Sequence, residues 1–223
     1  MPANKTITPT VLALNKESFE SWCKELKKYF DTIHVDVVDS SYGDQTWFDE
    51  IETFKILKNY RSIVVHLMVE NPIIFLRNKK DFLERDKTRY LIRSNSFENE
   101  QEIQELIDIG FDLGIYFEIG NNIQDKSDKF ILFNEFMFLA VIPGKTGQRP
   151  NLEVIENLNA FAKTNSDIMS KKTLSIDGGL SESTMQTYMH SMANIIYANS
   201  FLKKNGIEEA LRKLNTVTGK QIN

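Results

Sequence analysis

His34 and Asp36 alternate within Thr32-Ile33-His34-Val35-Asp36-Val37-Val38-Asp39, and His66 and Met68 alternate within Ile63-Val64-Val65-His66-Leu67-Met68-Val69. Only one other histidine, His190, occurs in the chain. Both runs are apolar and rich in β-branched residues, so each reads as a β-strand in which residues two apart share a face. His34 and Asp36 therefore point the same way, with Val35 and Val37 packing on the other side. An imidazole beside a carboxylate in such a setting costs free energy unless both are partnered. One solution is a hydrogen-bonded core histidine; the other is a shared metal ion, for which these residue types are suitable ligands. Two histidines in such similar settings favour the second. His190 is expected on a helix surface with no role.

The elements that would position these residues follow from periodicity. Strands are expected at Ile7–Ala13, Thr32–Val37, Ser62–Met68, Arg89–Arg93, Asp112–Phe117, Phe136–Val141, Thr173–Ile176 and Ile195–Ala198. Helices are expected near Lys16–Phe30, Trp47–Asn59, Ile74–Arg85, Glu98–Ile109, Ile123–Leu132, Leu152–Asn165, Glu182–Ser191 and Ile207–Leu214. Strict alternation requires a parallel sheet with helical crossovers. Eight such units predict an α/β fold, a single (β/α)8 TIM barrel occupying residues 1–223 as one domain. Active sites of this fold lie at the C-terminal ends of the strands. His34 and Asp36 fall late in the second strand, His66 late in the third and Asp177 at the end of the seventh. All four are thus expected on the active rim.

Two imidazoles and two carboxylates form a plausible set for one divalent cation, Zn²⁺, Mn²⁺ or Fe²⁺. Carboxylates on opposite sides of a bound sugar could also move protons at carbon. Turns with glycine or small polar residues follow the last three strands: Pro143-Gly144-Lys145-Thr146-Gly147-Gln148, Asp177-Gly178-Gly179 and Ala198-Asn199-Ser200. Glycines alone make turns, but three adjacent loops of this kind suit a phosphate, which backbone N–H groups can approach closely there. Lys145 either adds charge to that site or is simply solvated.

Composition narrows the class. The 223 residues are 41% hydrophobic with a formal net charge of −4, enough apolar material for a full core and no electrostatic case for nucleic acid or an anionic membrane. The one cysteine, Cys23, excludes an internal disulfide and fits a reducing compartment. The opening Met-Pro-Ala-Asn-Lys-Thr carries no apolar stretch of a signal peptide. No run approaches the ~18 to 20 apolar residues of a membrane span. The expectation is a cytoplasmic protein whose partner is a small molecule.

In order along the chain, these segments resemble the ribulose-phosphate 3-epimerase family. Ile7-Thr8-Pro9-Thr10-Val11-Leu12 is similar to the family's opening I-S-P-S-I-L strand, and His34-Val35-Asp36-Val37-Val38-Asp39 to its H-x-D-x-M-D signature. Val65-His66-Leu67-Met68-Val69 with Pro72 matches V-H-L-M-V-x-x-P. Val141-Ile142-Pro143-Gly144-Lys145-Thr146-Gly147-Gln148 resembles V-x-P-G-F-x-G-Q, and Ile176-Asp177-Gly178-Gly179 matches V-D-G-G. The resemblance implies a metal held by His34, Asp36, His66 and Asp177, with Asp36 and Asp177 as the acid/base pair. It implies interconversion of D-ribulose 5-phosphate and D-xylulose 5-phosphate through a metal-stabilised enediolate, a step of the pentose phosphate pathway. Thr10 stands where the family has a serine near substrate oxygens, and Met68 keeps an apolar contact above the reacting carbons. Gly144, Gly147, Gly178, Gly179, Asn199 and Ser200 fall at phosphate-loop positions, and His66 is expected to touch substrate as well. Family members often form dimers or larger rings, which leaves a homo-oligomer open.

The chain also departs from the pattern. Val38 and Leu139 replace methionines, and Ser40 replaces the glycine after Asp39. Ser41–Gln45 does not match the family's loop, and Lys145 replaces phenylalanine. Tyr90–Ser94 lacks the usual histidine, and Asn199 stands where glycine precedes the serine. These changes spare the proton-transfer set and touch the sugar floor and phosphate contacts. An allulose-6-phosphate 3-epimerase, or a catalytically inactive sugar-phosphate-binding homologue, are the alternative readings.

Overall fold

A computed structural model describes residues 5–121, 128–144 and 147–218. Eight strands, β1 (Thr6–Val11), β2 (Thr32–Val38), β3 (Ser62–Met68), β4 (Thr88–Arg93), β5 (Asp112–Phe117), β6 (Glu135–Leu139), β7 (Thr173–Asp177) and β8 (Ile195–Ala198), pair in parallel. They close in chain order into one (β/α)8 barrel, as the alternating pattern requires.

The intervening helices are α1 (Lys16–Leu26), α2 (Glu50–Leu57), α3 (Pro72–Lys79), α4 (Glu100–Asp108), α5 (Glu153–Thr164), α6 (Ser166–Met169), α7 (Met185–His190), α8 (Ser200–Asn205) and α9 (Ile207–Thr218). Several are shorter than their periodic patterns. The second expected helix begins at Glu50 instead of Trp47, because the Asp49 carboxylate caps the N–H groups of Ile51 and Glu52. The third starts earlier than expected, at Pro72, where Asn71 caps Ile74 N–H and proline's fixed φ suits the first turn. Only a 3-10 turn at Asp128–Leu132 represents the fifth, the remainder of Ile123–Leu132 lying outside the described residues. Two short helices, α6 and α8, were not expected; each is too short to print an amphipathic period. No helix among the described residues is long and apolar enough to cross a membrane.

Alternation along the strands sorts side chains between two cores. Outward residues such as Val35, Val65, Ile92, Ile115 and Ile176 pack under the helices with Phe19, Leu26, Leu106 and Phe161. Inward residues Val38, Val64, Met68, Leu91, Tyr116, Met137 and Tyr197 form a separate cluster inside the barrel. Gly114 also faces this interior: a Cβ there would lie 2.5 Å from Leu91 Cδ2 and 2.9 Å from Glu135 Cβ, so the close-packed interior admits only glycine.

Near the N-terminal end of the barrel, Glu135 is 0% exposed. It accepts from Arg89 Nη1 at 3.1 Å, Ser175 Oγ at 2.6 Å and Tyr197 Oη at 2.6 Å. Arg89 in turn donates to Asp112, with Nη2 2.9 Å from Oδ2. A buried carboxylate with three donors, one of them cationic, is fully partnered.

Candidate metal and active site

One layer above, the register assembles the four residues singled out by type and spacing. Asp36 pairs with His66 across β2 and β3, Thr10 with His34 across β1 and β2, and Asp177 with Tyr197 across β7 and β8. His66 Nδ1 lies 3.1 Å from Asp36 Oδ1 and 3.9 Å from Asp177 Oδ2. His34 Nδ1 lies 3.7 Å from Asp36 Oδ1 and 3.1 Å from Thr10 Oγ1. One ligand atom from each of His34, Asp36, His66 and Asp177 falls within 4.8 Å of all the others.

The histidines are held by aromatic contacts. Tyr197 stacks on His34 at 4.0 Å between ring centroids, and Tyr116 meets His66 edge-on at 4.4 Å. Thr46 Oγ1 accepts from Val38 N–H and donates to the Asp36 carbonyl, fixing the end of β2 beneath its own loop.

The electrostatics of the cluster suit a bound cation. Burial pushes the His34 imidazole well below its usual range and His66 down to about 4, so both are neutral, the form that ligates metals. Burial pushes the Asp36 carboxyl up to about 8. Burial and then the neighbouring Asp36 push Asp177 up to about 7, against the His66 imidazole and a hydrogen bond from Gly178 N–H. Among the described residues no lysine or arginine pairs with either carboxylate. Two carboxylates, each only 8% exposed, and two neutral imidazoles therefore form a donor set that a divalent cation fits. A cation beside them would lower both carboxyl pKa values.

A cavity opens directly above this cluster. It is lined by ten of the residues expected at the site: Thr10, Asp36, Met68, Gly144, Gly147, Asp177, Gly178, Gly179, Asn199 and Ser200. His34 and His66 are fully buried beneath it. Lys145 lies outside the described residues. Gly178, at φ +85°, turns the chain out of β7; a Cβ there would lie 2.4 Å from Val141 Cγ2. Asn199 Oδ1 is buried with no hydrogen-bond partner. His190 sits on an exposed helix surface, its Nδ1 2.7 Å from the Gln186 carbonyl oxygen.

Sequence reasoning missed Leu12, Val141 and Tyr197, which also line the cavity. Two-residue alternation from Thr10 to Leu12 was a usable signal for the first. Nothing local marks Tyr197, whose role depends on the barrel bringing β8 against β1 and β7.

Comparisons with known proteins add the family. A sequence profile of the ribulose-phosphate 3 epimerase family matches residues 6–202. A ribulose-phosphate 3-epimerase of Aquifex aeolicus (strain VF5) is 22% identical over 226 aligned residues, covering 96% of each chain. One from Mycoplasma genitalium is 24% identical over 203 residues, covering 89% of this chain and 90% of the relative. Among solved structures, 3-keto-L-gulonate-6-phosphate decarboxylase from Vibrio cholerae superposes with a TM-score of 0.65 at 12% identity, over 99% of this chain and 100% of the other. The N-(5'-phosphoribosyl)anthranilate isomerase of Pyrococcus furiosus gives a TM-score of 0.57 at 14% identity, over 95% and 99% of the two chains. At those identities the structural likeness concerns the barrel alone. The profile match, over most of the chain and through every element that carries the cluster, establishes that this protein belongs to the ribulose-phosphate 3-epimerase family of isomerases.

Proposed function

We propose that the chain epimerises a ketose phosphate at C3, interconverting D-ribulose 5-phosphate and D-xylulose 5-phosphate, with Asp36 and Asp177 as the paired acid and base. The observation that carries this reading is the placement of those two carboxyls on separate strands, β2 and β7, lining one cavity and sharing His66 as neighbour. Inverting a carbon needs a proton taken from one face and returned to the other, which a single base cannot do without moving. One Asp takes the C3 proton and leaves an enediolate, planar at C3; the other, protonated, returns a proton to the opposite face. Each turnover then ends with the two protonation states exchanged. Burial raises the proton affinity of both carboxyls and a bound cation would lower it, two opposing effects on groups that must each take and give a proton.

His34, Asp36, His66 and Asp177 would hold one divalent cation, Zn²⁺, Mn²⁺ or Fe²⁺. When bound, such a cation supplies positive charge beside the oxygens of the reacting carbons and so acidifies the C3 proton. Thr10 offers a hydroxyl to those oxygens, while Met68, Leu139 and Val141 keep the space above them apolar. The loops bearing Gly144, Gly147, Gly178, Gly179, Asn199 and Ser200 would receive the phosphate, with backbone N–H groups as donors.

The test is NMR of the protein with ribulose 5-phosphate in D2O, with and without added Zn²⁺ or Mn²⁺. Deuterium entering at C3 together with xylulose 5-phosphate is the expected result. No exchange by folded, metal-loaded protein would overturn the five-carbon assignment, and allulose 6-phosphate would be examined next.

A further inference from the structure

A second polar cluster occupies the rim opposite the glycine loops. In the closed strand order β4 lies across the barrel from β8. Arg93 ends β4 and pairs in register with Tyr116 of β5. Its guanidinium carbon lies 5.7 Å from the centre of the Tyr42 ring, and its Nε is buried without a hydrogen-bond partner. The Tyr42 hydroxyl lies 3.4 Å from that of Tyr116 and 3.4 Å from Glu118 Oε1. Both distances are long for O–H···O bonds, which settle near 2.7–2.8 Å. The cluster thus holds donors and an acceptor with unused capacity. It is also next to the metal cluster, since Tyr116 carries both the phenol facing Tyr42 and the ring against His66.

The loop that brings Tyr42 there is built rather than loose. The Asp39 carboxylate accepts from Ser41 N–H at 2.9 Å and Glu70 N–H at 2.7 Å, and Tyr42 N–H donates to the Asp39 carbonyl at 3.1 Å. The Tyr42 carbonyl oxygen packs against Gly144, where a Cβ would sit 3.1 Å away, so the loop after β2 crosses the mouth to meet the loop after β6. Holding this loop is one task for Arg93. A ring contact nevertheless leaves the Nε–H without an acceptor, and Arg93 forms no ion pair among the described residues.

We propose that Tyr42, Arg93 and Glu118 form a subsite for the hydroxymethyl end of the substrate, the C1–OH remote from its phosphate. The assignment rests on the ketose-phosphate reading above: phosphate at the β6, β7 and β8 loops and reacting carbons at Asp36 and Asp177 send C1 toward β4 and β5. A hydroxyl suits the cluster because it accepts from an N–H of the part-exposed Arg93 guanidinium while donating to the Glu118 carboxylate. That carboxylate equally disfavours a second phosphate at C1.

The experiment compares C3 deuterium exchange of D-xylulose 5-phosphate with that of its 1-deoxy analogue, for the unaltered metal-loaded protein and for Tyr42→Phe and Arg93→Met. A site built to bond a hydroxyl rejects the analogue lacking it, and for this half-exposed cluster kcat/KM should fall about 10- to 100-fold with the 1-deoxy sugar. Each substitution should shrink that ratio to below about threefold by slowing the parent sugar selectively, with unchanged thermal midpoints excluding misfolding. Equal rates for the two sugars in the unaltered protein, or a ratio that survives both substitutions in folded protein, would overturn the subsite alone. Exchange with neither sugar would overturn the epimerase reading and the subsite with it.

Discussion

One barrel contains two buried clusters of ionisable groups, and it treats them oppositely. At the N-terminal end, Glu135 has Arg89, Ser175 and Tyr197 as donors, and Arg89 has Asp112 as a further acceptor. One layer up, Asp36 and Asp177 have two neutral imidazoles and, among the described residues, no cationic side chain. Tyr197 joins the layers, its hydroxyl on Glu135 and its ring on His34. Burial by itself therefore does not mark a functional carboxylate. The lower cluster carries its positive charge in the chain and serves the fold; the upper one is short of positive charge, which is the condition for taking up a metal ion and exchanging protons.

The largest expected effect is on the upper cluster. Asp177→Asn removes one of two proton carriers while preserving shape, and C3 exchange should fall by on the order of 10²–10⁴-fold, the usual worth of general acid–base catalysis. An unaffected rate would take Asp177 out of the mechanism. His66→Ala should lose bound metal and activity together, read as metal content by mass spectrometry beside turnover. Partners one shell out already matter 10- to 100-fold to metal affinity, so the loss of a ligand should exceed roughly 100-fold. Full activity in metal-free His66→Ala protein would refute the four-ligand site.

The lower cluster should answer in stability. Arg89→Met leaves Glu135 buried without its cation, a change that costs about 3–5 kcal/mol in comparable pairs. Denaturant unfolding should show that loss while the metal content of the folded protein stays at the unaltered level. A fall in metal content with unchanged stability would reverse the roles assigned to the two layers. A smaller effect is expected at the exit of β7. Gly178→Ala places a Cβ at φ +85° and against Val141, which strained conformation and overpacking together make about 2–4 kcal/mol less stable.

The smallest effect is the pH dependence of the metal-free protein. Folded Asp36 and Asp177 hold protons up to about 8 and about 7, whereas unfolded carboxyls release them near 3.8. Between those limits the folded state binds more protons, so stability falls as pH rises. The buried histidines act in the opposite direction, but only below about 6.5, because above it both states are neutral. From pH 6.5 to 8 the chelator-treated protein should therefore lose stability, and a saturating divalent cation should flatten the slope. A thermal midpoint that rises over this window without metal would contradict the carboxyl assignment.

Much of this was legible in the sequence because strands have a period of two and helices one near 3.6. Alternation alone puts His34 with Asp36 on one face, and the recurrence of strand and helix predicts the barrel that gathers them. Boundaries were less legible, since helix starts at Glu50 and Pro72 depend on capping side chains that compete with the apolar pattern. Short elements such as α6 and α8 carry too few residues to show a period. The residue types at the rim, and the family they belong to, were thus fixed by local chemistry and order along the chain. Only the tertiary structure decided which ionisable groups are partnered, because that depends on closure of the sheet. Arg89, Asp112 and Glu135 come from three successive strands, Tyr42 reaches Arg93 and Gly144 across the barrel mouth, and Tyr197 meets His34 through β1. Distances of this kind arise between residues far apart in sequence, where neither spacing nor periodicity carries information.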